Sequence, residues 1–170
     1  MLYNYSNLTH NLLLTSQISI MAKIEFKMKL PTTSKKLYDL CTDFENHKKA
    51  FPSQLKNIEI IEEDEFKITT KEILVFNTYF KNTEIHQTTM HEKKFPMIKS
   101  KIIDGPFKGS VIQVVFNELD EGTIVSCEFE LKIALKYKIL TNIIKTKYKV
   151  ILTSLLYKMN NLAMNEQVKN

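Results

Sequence analysis

Near residue 136 the hydrophobic rhythm of this chain changes from a period of two to a period between three and four. Downstream, Leu140, Ile144, Tyr148, Ile151, Leu155, Met159 and Leu162 recur at spacings of three and four, and Ile143, Leu152, Leu156 and Ala163 widen the stripe. That pattern predicts an amphipathic helix of roughly 25 residues, about 37 Å long at ~1.5 Å per residue. Neither Pro nor Gly interrupts it. Nothing else in the chain predicts a long helix.

Upstream, the repeat is that of strands. Ala22, Ile24, Phe26, Met28 and Leu30 alternate with Lys23, Glu25, Lys27 and Lys29, a half-buried strand that Pro31 stops. Thr32, Thr33 and Ser34 then offer N-caps to a short helix carrying Leu37, Tyr38, Leu40 and Cys41. A second short helix from Phe44 to Ala50 ends at Phe51-Pro52, since the residue before proline avoids the helical region. From Leu55 to Ile133 only strands are predicted. They include Phe66 to Val75, Thr83 to His91, a strand opened by Pro96, Ser110 to Phe116, and a last one with Val125, Cys127, Phe129, Leu131 and Ile133 facing inward. Asp120-Glu121-Gly122 makes a hairpin turn between the last two.

The element order is strand, two short helices, six strands, long helix. Short turns pair successive strands antiparallel. The sheet's apolar face needs a cover, and only the terminal helix is large enough. Seven large side chains at ~1.5–3 kcal/mol each give that docking roughly 10–20 kcal/mol of gross stabilisation. The fold class is therefore α+β, a curved seven-stranded antiparallel sheet wrapped round a long C-terminal helix.

Composition narrows the partners. The chain has 170 residues, 44% of them hydrophobic and 25% charged, which suits one globular domain. All 24 basic residues are Lys. Arg supplies the planar fork that reads phosphates and guanine edges, so a net charge of +5 without it argues against specific nucleic-acid binding. Cys41 and Cys127 form no CxxC or Cys/His cluster, so buried free thiols in a cytoplasmic, reducing compartment are expected, with no metal and no cofactor. No run reaches the ~18 apolar residues of a membrane span. Residues 1–20 contain Leu12-Leu13-Leu14 but no Lys or Arg before Lys23, unlike a signal peptide. They read as a poorly ordered extension or an upstream start ahead of Met21, with a membrane-touching or partner-binding segment as the other reading. The domain is placed at 21–165, with a tail at 166–170.

The strand ending at Leu30-Pro31, the helix pair ending at Phe51-Pro52, the Gly105-Pro106-Phe107 turn and the terminal helix together resemble the SRPBCC superfamily. Its helix-grip fold is shared by START lipid-transfer domains, pollen-allergen-like proteins and polyketide cyclases. The likeness covers residues 22–165 and is nearest to the polyketide cyclase/dehydrase and coenzyme-Q-binding-like branch. It implies an apolar tunnel between sheet and helix for a lipid, quinone or polyketide-like molecule. It implies no universal catalytic residues.

Candidate ligand-binding residues on the strands are Phe66, Ile68, Glu72, Ile112, Val114 and Phe129, with Phe107 in the glycine-rich turn. On the helix they are Ile144, Tyr148, Ile151 and Leu155. Glu72 and Thr70 share parity with Phe66, Ile68 and Leu74, which allows an inward carboxylate that orients a polar head group or acts as a base. The balance favours a bend or bulge that turns Glu72 to water. His86 and His91 fall on opposite parities and cannot share a site by simple alternation. These two, His47 and His10 read as surface or satisfied histidines rather than catalysts. Tyr148 needs a partner for its hydroxyl, either a ligand or a sheet carbonyl. Cys127 reads as an inert core thiol. No nucleophile elbow, P-loop or GxGxxG is present, so no catalytic residue is assigned.

The function expected is binding or transport of a hydrophobic small molecule, leaning away from an enzyme. A cyclase or dehydrase and a protein-interaction module are the alternatives. A buried Glu72 or histidine beside another polar group would favour the cyclase. Transient membrane contact and oligomeric state stay open.

Overall fold

The computed structural model describes residues 19–50, 54–77 and 82–167. Most of the expected extension, with His10, lies outside these residues, as do the Phe51-Pro52 helix stop and the last three residues of the tail. The described chain runs β1 (Ser19–Leu30), α1 (Ser34–Thr42), α2 (Phe44–Ala50), β2 (Leu55–Glu63), β3 (Lys67–Asn77), β4 (Asn82–Lys94), β5 (Met97–Asp104), β6 (Val111–Leu119) and β7 (Gly122–Ala134). A 3-10 turn, Leu135–Leu140, leads into the terminal helix α3, Thr141–Gln167.

The seven strands form one sheet in the order β1-β7-β6-β5-β4-β3-β2, antiparallel throughout. Successive strands from β2 to β7 are neighbours, as short turns demand, and only β1 reaches its partner across the length of the chain. The α1–α2 pair spans from one sheet edge to the other. Strand β1 starts at Ser19 opposite Ala134, three residues before the clean alternation begins at Ala22. Register shifts at Leu55/Asn57 and Ile60/Glu62 of β2, and at Thr88/Thr89 of β4, bend the sheet around its contents.

Helix α3 lies against the concave face as the hydrophobic stripe requires, though rotated from the expected centre line. Ile144, Tyr148, Leu156, Met159 and Ala163 are buried, whereas Leu140 and Leu162 are each 41% exposed. Leu140 belongs to the 3-10 turn, none of whose residues is buried, and Ile139 beside it is 91% exposed. At the far end, the Thr32 hydroxyl donates to Asn160 Oδ1 at 2.8 Å and ties the β1–α1 corner to the helix. None of the described helices is long and apolar enough to cross a membrane.

The turn between β5 and β6 is held close to β4. Gly105 has a φ of 106°, open to glycine but rarely to other residues, and a Cβ there would lie 2.6 Å from the His86 carbonyl oxygen. Phe107 follows, buried, with its ring edge-on to Tyr148 at 5.4 Å.

Candidate functional site

Between the sheet and α3 lies a cavity of about 140 Å³. Its lining divides by element. Strands β5 to β7 and the helix supply a largely apolar wall that includes Ile98, Ile112, Val114, Phe116, Ile151 and Leu155. Strands β3 and β4, with Tyr148 facing them, supply a polar one, Glu72, Gln87, Thr89 and His91, continued by Ser100 of β5.

The polar wall follows from strand pairing. The unbroken β3–β4 register sets Thr70 opposite Thr89, Glu72 opposite Gln87 and Ile68 opposite His91. On both strands these positions point inward. Glu72 therefore does not turn to water. The register shifts fall on β2 and on the β4–β5 pairing, and β3 keeps its alternation against β4 through Glu72 to Leu74 and Phe76.

The Glu72 side chain, 11% exposed, is the hub of a hydrogen-bonded network. Thr70 donates to its Oε1 at 2.8 Å, the Gln87 amide to Oε2 at 2.7 Å and Thr89 to Oε2 at 3.2 Å. His91 Nε2 sits 3.0 Å from Thr70 Oγ1 and 3.4 Å from Glu72 Oε1. The Tyr148 hydroxyl donates to Gln87 Oε1 at 2.9 Å. His91 Nδ1 lies 2.8 Å from Ser100 Oγ, and its ring is packed on Phe44 at 4.3 Å.

Burial alone would push the Glu72 carboxyl up, but hydrogen bonding and charge from His91, with the Thr70 and Gln87 hydrogen bonds, hold it below the usual carboxylate range. Glu72 is thus an anion solvated by side chains instead of water. Burial, with the Glu72 charge beside it, raises Tyr148 well above the ordinary phenol value, so its hydroxyl stays a donor. Burial lowers His47, which lines the cavity near Phe44 and faces the Leu40 carbonyl at 3.4 Å. Burial also pushes the Cys127 thiol up to about 12 and raises Cys41, leaving neither a ready thiolate. No group of three or more metal-ligating side chains occurs among the described residues.

Of the eleven candidate residues, Glu72, Ile112, Val114, Tyr148, Ile151 and Leu155 come together on the lining. The other five do not reach it. Phe66 is 59% exposed, because Asp64 Oδ1 caps the backbone N–H groups of Phe66 and Lys67 in a turn and the alternation begins only after it. Ile68 is buried on the inner face of β3 without reaching the lining. Phe107 and Phe129 pack edge-on against the Tyr148 ring, and Ile144 is buried one turn before it, so these three support a lining residue from behind.

Sequence reasoning left Gln87, Thr89, His91 and Ser100 out of the candidate site. His91 is a satisfied histidine as expected, but its partners are the Glu72 network; His86 points out, its side chain 68% exposed. The available signal was the hairpin register, which places Gln87 opposite Glu72 once Leu74 and Phe76 are taken as inward.

A long helix gripped by a seven-stranded antiparallel sheet over a ligand-sized cavity is the helix-grip architecture of the SRPBCC proteins. The family model described as "Polyketide cyclase / dehydrase and lipid transport" matches residues 30–159, and the chain belongs to that family. A search of curated proteins returns no match. Among solved structures, a Thermus thermophilus protein aligns with a TM-score of 0.71 at 16% identity, covering 85% of this chain and 99% of that one. Zhui aromatase/cyclase from Streptomyces gives 0.68 at 12% identity, covering 82% and 94%. Norcoclaurine synthase from Thalictrum flavum, in complex with dopamine and hydroxybenzaldehyde, gives 0.67 at 9% identity, covering 97% and 96%. At these identities the likeness is one of fold.

Proposed function

We propose that the protein binds a small hydrophobic molecule in the cavity between sheet and helix, and carries it without transforming it. The observation that supports this most is a cavity with one apolar wall and one polar wall whose side chains are already hydrogen-bonded to one another. A volume of about 140 Å³ suits a single ring, since an apolar protein cavity of about 150 Å³ takes up benzene. Left empty, the space would cost at most about 3 kcal/mol at ~24 cal/mol per Å³, part of which a bound ligand would recover. Catalysis is less well supported. Glu72 is held ionised by donors that occupy both its oxygens, both His91 ring nitrogens have partners, and neither thiol is activated.

Toluene and native mass spectrometry test the binding reading. Toluene at a hundred times its dissociation constant raises the unfolding free energy by about 2.7 kcal/mol. The gain disappears in Val114→Phe, which fills the space. Gently purified protein releases a small organic molecule on denaturation. A protein with nothing bound, and no response to toluene, would refute the proposal.

A cyclase or dehydrase is the second reading, favoured by one observation: Glu72 and His91 are a buried carboxylate–imidazole pair inside the cavity, the acid/base arrangement such chemistry needs. Turnover of a short poly-β-ketone that falls at least about a hundredfold in His91→Asn would establish it.

A further inference from the structure

The protons of the polar wall can be assigned one by one. Thr70 gives its hydroxyl proton to Glu72 Oε1, so the His91 Nε2 that also meets Thr70 Oγ1 must itself carry a proton. A bare Nε2 would face the Glu72 carboxylate at 3.4 Å lone pair to lone pair. With Nε2–H fixed, His91 Nδ1 pairs with the Ser100 hydroxyl at 2.8 Å. The two amide protons of Gln87 go to Glu72 and to Thr89 Oγ1, the latter at 3.2 Å, and Thr89 gives its own to Glu72. Tyr148 gives its proton to Gln87. The protons of Thr70, Gln87, Thr89 and Tyr148 are all engaged, and the carboxylate takes three of them. His47 and Gln54, also on the lining, have contacts of their own.

What Tyr148, Gln87 and Glu72 still offer a ligand is therefore of one kind. Tyr148 Oη keeps its lone pairs, Gln87 Oε1 has accepted one hydrogen bond where a carbonyl oxygen can take two, and Glu72 adds a negative charge. We propose that the cavity selects hydrophobic molecules carrying a hydrogen-bond donor, an amine or hydroxyl on a single ring, and discriminates against carbonyl and carboxylate groups. This rests on the binding reading and names the chemistry of its ligand. An incoming hydroxyl or ammonium completes acceptors on Tyr148 and Gln87 and is drawn toward Glu72. A carbonyl oxygen meets only lone pairs and a like charge, and loses the hydrogen bonds it made to water.

Five probes of similar size separate the possibilities: toluene, benzyl alcohol, benzylamine, benzaldehyde and benzoate, titrated by calorimetry into the full chain at pH 8, above the ordinary imidazole range. Benzyl alcohol and benzylamine are expected to bind about tenfold to a hundredfold more tightly than benzaldehyde and benzoate, with toluene between. Benzaldehyde or benzoate binding as tightly as benzyl alcohol would overturn the proposal while leaving the binding reading intact. If none of the five binds, both fall together. In Glu72→Gln, which removes the charge and introduces a donor, the ratio of benzyl alcohol to benzaldehyde affinity is expected to shrink at least about threefold. An unchanged ratio would count against Glu72 as the origin of the preference. The wild-type series decides the matter even if that variant does not fold.

Discussion

The two walls of the cavity are built from the same sheet on different principles. The wall from β5 to β7 and α3 is ordinary core, where Ile112, Val114 and Ile151 have only to be apolar and of roughly the right size. The wall from β3, β4 and Tyr148 tolerates no such exchange. Its carboxylate is stable out of water because four side chains donate to it, and each of those is placed by the pairing of β3 with β4. On the binding proposed here, one wall would set how large a ligand fits and the other what chemistry it must bring.

Substitutions should separate the two walls sharply. Glu72→Ala removes the acceptor and strands buried donors from Thr70, Gln87, Thr89 and His91, and is expected to cost about 3–5 kcal/mol in urea unfolding. Tyr148→Phe keeps the ring against Phe76, Phe107 and Phe129 but leaves Gln87 Oε1 short of a donor, and should cost about 1–3 kcal/mol. On the apolar wall the sign reverses. Val114→Ile adds one methylene into vacant space and is expected to raise stability by up to about 0.8 kcal/mol while weakening toluene uptake. A loss of 1 kcal/mol or more there would mean that the wall is already full.

The smallest effect is a pH slope. Burial holds His47 below the ordinary imidazole value of 6.5, so the unfolded chain takes up the proton first. Stability is complete above pH 6.5 and declines as pH falls from there, and His47→Gln should flatten that decline in denaturant titrations between pH 7 and 5. Glu72 acts with the same sign lower on the scale, its contribution present above the ordinary carboxyl value of 4.5 and lost as pH falls below it.

The apolar wall was far easier to read from sequence than the polar one. Strands β1 and β7 and the helix have one face that is plainly apolar, so period alone orients them. On β4 both faces are mixed, with Gln87, Thr89 and His91 on one and His86, Thr88 and Met90 on the other, and hydropathy cannot say which is inside. Pairing with β3 decides it, a long-range fact that no window of one strand contains. Phe66 misled for the converse reason: it is apolar and has the correct parity, but a local Asp64 cap takes it out of the pleat. Leu140 lies in the 3-10 turn, where the helical spacing that links it to Ile144 does not hold.

The tightness of the turn at Gly105 reaches beyond the turn. A methyl group at that position would press on the peptide joining His86 to Gln87, and the amide at position 87 is the relay between Tyr148 and Glu72. Gly105→Ala is therefore expected to announce itself first as a mis-aimed amide, seen as a shifted Tyr148 ring resonance, in protein that is still folded. The least bulky residue in the chain works as a gunsight for one on the neighbouring strand. In descendants of this chain, change at position 105 should bring change at position 87.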